Sequence, residues 1–135
     1  MAGWIVPTLG YIVVLGAGGV TAKLALRTIT WEQLVLWVPI AYIVFSAILV
    51  IFNGTRFPSG VGSAWGAVTA FAMSSALILL FNALSKGAAN QVLPASSAYP
   101  VITLIGAALF LAEKITVVRG IGTALVVGGV VLLSR

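Results

Sequence analysis

Ser96, Ser97, Tyr99 and Thr103 surround Pro100 in the sequence, and hydroxyls grouped around a proline suit one kind of chemistry. A proline inside a helix lacks an N–H and disturbs the carbonyl four residues back, here that of Ser96, so a kink is expected at Pro100. Backbone groups freed in this way at membrane depth are tolerated only beside protein or a watery cavity. Ser74, Ser75 and Asn82 upstream, with Tyr11 near the start, can join the group as a polar lining. The alternative is that each hydroxyl bonds back to a carbonyl of its own helix. Such a set can hold a small molecule by hydrogen bonds, with the kink as a gate.

Reactive chemistry has few residues to run on. The chain has no His and no Cys, and its only carboxylates are Glu32 and Glu113. A catalytic metal centre takes about three protein ligands, so no metal, no cofactor and no enzyme activity are expected. Lys23, Glu32 and Glu113 are the groups that could titrate near a membrane. Lys23 is close enough to a span end to reach the boundary by snorkelling. Glu113 can pair with Lys114 or Arg119, and Glu32 favours the positive end of the helix it precedes.

The elements that must position these residues follow from composition. Of 135 residues, 61% are hydrophobic and 7% charged, where soluble domains carry about 25% charged residues. The seven basic residues give a net charge of +5, yet they stand at the ends of apolar runs and form no patch, so nucleic acid is not the expected partner; the lipid bilayer is. A spanning helix needs about 20 apolar residues, and the long, sparsely charged apolar runs supply five helices, approximately 4–26, 32–52, 62–84, 92–112 and 115–133. The fold class is therefore an all-α membrane protein, a five-transmembrane-helix bundle forming one domain over residues 1–135. Four is the alternative count, because Arg119 falls one turn inside the fifth span. The first 22 residues hold no Lys or Arg, so the first run is read as a retained helix rather than a cleaved signal.

Helices in lipid associate by close backbone approach at small residues. Gly120, Ala124 and Gly128 recur every fourth position in the fifth span and are read as a packing face; Gly62 with Gly66, and Gly16 with Gly18 and Gly19, are further candidates. With five spans, Arg56, Lys114 and Arg119 lie on one side of the membrane and Lys23, Arg27, Lys86 and Arg135 on the other. Orientation follows the Lys and Arg bias of the loops. Three against four is almost no bias, which permits insertion both ways.

The order of features resembles a known family. Gly87-Ala88-Ala89-Asn90-Gln91-Val92-Leu93-Pro94, Ala98-Tyr99-Pro100-Val101-Ile102-Thr103, Leu109-Phe110-Leu111-Ala112-Glu113-Lys114-Ile115-Thr116, Gly120-Ile121-Gly122 and Gly128-Gly129-Val130 are similar to the carboxyl half of an EamA domain of the drug/metabolite transporter superfamily. Val20-Thr21-Ala22-Lys23-Leu24-Ala25-Leu26 is similar to the end of that family's first helix, with its lysine. Typical members have two five-helix repeats of opposite orientation and export amino acids, metabolites or drugs; this sequence has one repeat. The resemblance implies a secondary transporter, an exporter of a small metabolite or drug-like compound, working by alternating access as an antiparallel homodimer in a bacterial or archaeal plasma membrane. Tyr11, Ser74, Asn82, Ser97, Tyr99 and Thr103 are then the substrate-lining residues, on the first, third and fourth spans. The alternative is a non-transporting membrane subunit, or a lipid-carrier flippase component, paired with another half-size protein.

Overall fold

The computed structural model describes residues 3–133. All its regular structure among the described residues is helical: α1 (Ile5–Ala25), α2 (Trp31–Val35), α3 (Trp37–Asn53), α4 (Val61–Lys86), α5 (Ala89–Ser96), α6 (Pro100–Phe110) and α7 (Val117–Leu133). The chain divides into two compact units, with the division falling between Lys86 and Gly87.

In the first unit, three helical runs are long and apolar enough to cross a membrane: Ile5–Ala25, Trp31–Asn53 and Val61–Lys86. The second of these begins with a reciprocal cap. The Thr30 hydroxyl accepts from the Gln33 N–H at 3.3 Å, and the Gln33 side chain accepts from the Thr30 N–H at 3.0 Å, satisfying two donors that a helix start would otherwise leave open. Glu32 sits in that first turn, where a negative charge complements the helix dipole. The run is then interrupted at Leu36, where α2 ends and α3 begins. Pro39 explains the break, because it has no N–H to give the Val35 carbonyl. At the far end, Gly54 takes φ +62° and its N–H donates to the Val50 carbonyl at 3.1 Å, a left-handed stop that glycine adopts without a Cβ clash.

α4 packs against α1 and against α2. Gly19 and Ala22 of α1 are buried, and Leu84 of α4 is fully so. These are small residues letting a neighbouring side chain in, the usual way helices pack without a hydrophobic drive between them. Most other large apolar side chains, such as Phe45, Phe71 and Leu79, are exposed, as expected where lipid is the solvent.

The second unit has one run of spanning length, Ala89–Phe110, and it too is broken. α5 ends at Ser96, Ser97 to Tyr99 are non-helical, and Pro100 is the first residue of α6. The helix expected to continue to residue 112 stops at Phe110. There the N–H groups of Leu111 and Glu113 both donate to the Ala107 carbonyl, at 3.0 and 3.2 Å, and Ala112 takes φ +52°. The last helix, expected from residue 115, begins at Val117, because the Thr116 hydroxyl caps it by accepting from the Arg119 N–H at 3.3 Å. Arg119 therefore stands at the helix start rather than inside the apolar run. α7 packs on α5 and α6 and is seventeen residues long.

Candidate functional site

Lys23 lies in the last turn of α1, half-buried, and its Nζ donates to the Leu84 carbonyl at 2.6 Å. Leu84 is in the last turn of α4, whose final four carbonyls have no intrahelical donor. An ammonium there supplies a donor and complements the negative end of the α4 dipole. The side chain expected to snorkel to the boundary is instead a clasp between two spans. Glu113 makes no ion pair with Lys114 or Arg119 among the described residues.

A cleft of about 950 Å³ opens between α2 and α3 on one side and α4 on the other. Pro39, Tyr42 and Ser46 line one wall, and Gly66, Thr69 and Ser74 the other, amid aliphatic side chains and Met73. No lining side chain carries a charge at neutral pH. Tyr42 is the middle residue of the Trp31–Asn53 run, and Ser74 is at the middle of Val61–Lys86, so both stand at mid-membrane depth.

Some hydroxyls of the helices bond back to their own backbone and others do not. Those of Thr69, Ser75, Ser96, Ser97 and Thr103 bond back to their own helices, to the carbonyls of Trp65, Phe71, Leu93, Pro94 and Tyr99 at 2.6 to 3.4 Å. The hydroxyls of Tyr42, Ser46 and Ser74 have no such partner among the described residues, and all three line the cleft. A hydroxyl in hydrocarbon without a hydrogen bond is costly, so these three have hydrogen-bonding capacity to spare for a ligand in the cleft.

Of the residues expected from sequence to line a site, Ser74 lines this cleft. Tyr11, on α1, and Asn82, on α4, belong to the same unit but are not among its lining, whereas Ser97, Tyr99 and Thr103 belong to the second unit. Tyr11 and Tyr99 are exposed and Asn82 is half-buried. Pro100 begins α6 directly after the non-helical residues. In α7 the half-buried positions are Gly120, Thr123, Val127, Gly129 and Val130, while Ala124 and Gly128 are exposed. A Cβ at Gly120 or Gly128 would meet nothing within 4 Å, so neither has a close helix neighbour within its own unit. Tyr42, Ser46 and Pro39 carried a signal in the sequence: a tyrosine and a serine four residues apart share a helix face, and the proline falls within an apolar run.

The sequence model of the EamA-like transporter family matches residues 3–135. The chain belongs to that family. It is therefore a member of the drug/metabolite transporter superfamily, a multi-pass membrane protein whose family acts in a lipid bilayer on small molecules. The match takes in a single EamA domain. An uncharacterized protein of Methanocaldococcus jannaschii is 46% identical over 57 residues, which make up 42% of this chain and 42% of the relative, so the similarity spans less than half the relative's length. No solved structure matches.

Proposed function

We propose that this chain is a secondary transporter that exports a small, partly apolar metabolite, working by alternating access as an antiparallel homodimer. The observation carrying this reading is that one EamA domain fills the chain, and a five-span topology, which would divide its basic residues three against four, supports it. Transporters built from inverted repeats place the substrate near the midplane, between two halves of opposite orientation. A chain with one repeat needs a second, and a copy inserted the other way supplies it.

Tyr11, Ser74, Asn82, Ser97, Tyr99 and Thr103 are the proposed substrate-lining side chains, and the broken helix before Pro100 is the proposed moving element. Lids and gates turn on a few residues where a helix is interrupted. Gly120, Ala124 and Gly128 are proposed to pack against a second copy; two of the three are exposed in the single chain, which supports a role outside its own unit.

The test is flux. Purified chain in proteoliposomes is expected to move at least one compound of a metabolite panel down its gradient. Pro100→Ala, which restores an N–H to the break, is expected to lower that flux while insertion stays intact. Absence of flux for the whole panel contradicts the reading, and unchanged flux in Pro100→Ala removes Pro100 from the mechanism.

A further inference from the structure

We propose that the cleft between α3 and α4 is a binding site for an uncharged amphiphile bearing a hydrogen-bond acceptor, held by the hydroxyls of Tyr42, Ser46 and Ser74. The proposal rests on the transporter reading only in calling that ligand a substrate. It places recognition between the second and third spans of a single chain, whereas the proposed lining residues above stand on the first, third and fourth.

Three observations lead to this ligand class. First, Tyr42, Ser46 and Ser74 are hydroxyls without an intramolecular partner among the described residues, and all of them line one cleft. The contrast between neighbours is informative: the Ser75 hydroxyl donates to the Phe71 carbonyl at 2.8 Å, while Ser74, one residue earlier, lines the cleft. A serine that forgoes the back-bond available to it in a helix, like a tyrosine hydroxyl too far from its own backbone to make one, leaves a donor that an acceptor in the cleft can satisfy. Second, the remaining walls are apolar and no lining residue is charged at neutral pH. Desolvating an ion at this depth without a partner charge is unfavourable, so the same walls that favour an apolar body disfavour anions and cations. Third, Gly66 stands in the cleft wall, and a Cβ there would meet nothing within 4 Å. The space beside the α4 backbone is therefore open at that level.

The absence of cysteine from the chain allows a direct test. Met73→Cys places a single thiol in the cleft, and its alkylation by N-ethylmaleimide is followed in the full chain reconstituted in phosphatidylcholine nanodiscs. Three probes share one skeleton: 3-phenylpropanamide is neutral, 3-phenylpropanoate anionic and 3-phenylpropylamine cationic. The amide is expected to slow alkylation and the two ions to leave it unchanged. Adding Tyr42→Phe, Ser46→Ala and Ser74→Ala together is expected to raise the half-protecting amide concentration about tenfold or more, the summed loss of three modest hydrogen bonds. Gly66→Leu, a substitution that improves helix propensity, is expected to abolish protection by filling the cleft.

Equal protection by the ions, protection that survives loss of the three hydroxyls, or no protection by the amide overturns the proposal. So does a thiol already unreactive without a probe, which would mean that lipid chains or a second copy cover the cleft. Failure of the transporter reading is distinguishable. Protection without amide flux in proteoliposomes contradicts transport of the amide and leaves the cleft's selectivity standing, whereas amide flux unaffected by the hydroxyl substitutions and by Gly66→Leu contradicts the cleft.

Discussion

Lys23 acts across a long stretch of sequence, donating from the end of α1 to the Leu84 carbonyl in the last turn of α4. A hydrogen bond from a charged donor contributes about 1.5 to 3 kcal/mol, and removing it leaves a helix-end carbonyl without that donor. Lys23→Met is therefore expected to lower the thermal unfolding temperature in detergent and to loosen α4 at its end, seen as faster amide exchange near Leu84; an unchanged exchange pattern contradicts the clasp. Ala112 offers the opposite case. Its φ of +52° is left-handed backbone, which costs a residue with a Cβ roughly 1 to 2 kcal/mol. Ala112→Gly is expected to raise the unfolding temperature, and a fall would mean that the alanine's methyl group contributes more than its strain costs. The lysine was visible in the sequence as a charge at a span end. Its partner was not, because snorkelling and clasping demand the same residue at the same place.

At the scale of elements, charged and turn residues delimit the helical runs so clearly that sequence located each of them to within a few residues. The breaks inside the runs follow the prolines. Pro100 predicted the interruption before α6, and Pro39 obeys the same rule at Leu36. The cleft was harder to foresee. Whether a serine bonds to its own helix or faces a neighbour depends on its χ1 rotamer and on which side of the helix it occupies, and residue type records neither; Ser74 and Ser75 differ in nothing else. Pro39→Ala supplies the missing N–H to the Val35 carbonyl, and proline inside a helix costs about 3 kcal/mol relative to alanine. The variant is expected to join α2 and α3 into one helix, slowing amide exchange at Leu36 and Trp37, and to change amide protection of the thiol introduced at Met73. Exchange as fast as in the parent would show that Pro39 does not cause the break.

For the whole molecule, the decisive features are an odd number of helical runs and a balance of charge. Four runs reach spanning length, and α7, at seventeen residues, rises about 26 Å against a hydrocarbon core of about 30 Å. Arg119 at its first turn can reach the boundary, as a long basic side chain near a helix end does. With α7 spanning, amino and carboxyl ends lie on opposite sides, and a copy inserted upside down has the opposite arrangement. The three-to-four division of basic residues gives neither orientation an advantage. Family membership was legible from the Tyr99-Pro100 and Phe110-Leu111-Ala112-Glu113 segments, while the proposed assembly would be a property of two chains, on which one sequence bears only through this balance. Shifting the balance should therefore shift the assembly: Lys23 aside for its structural role, Arg27→Ala, Lys86→Ala and Arg135→Ala together leave three basic residues against one and are expected to favour one orientation and lower flux.

The most direct measurement is the location of Arg135 in the membrane. A reporter active only in the periplasm and one active only in the cytoplasm, each fused after Arg135, are expected both to give strong signal from the parent chain, because half of an antiparallel homodimer presents that end to each side. Strong signal from one reporter alone would contradict the inverted homodimer.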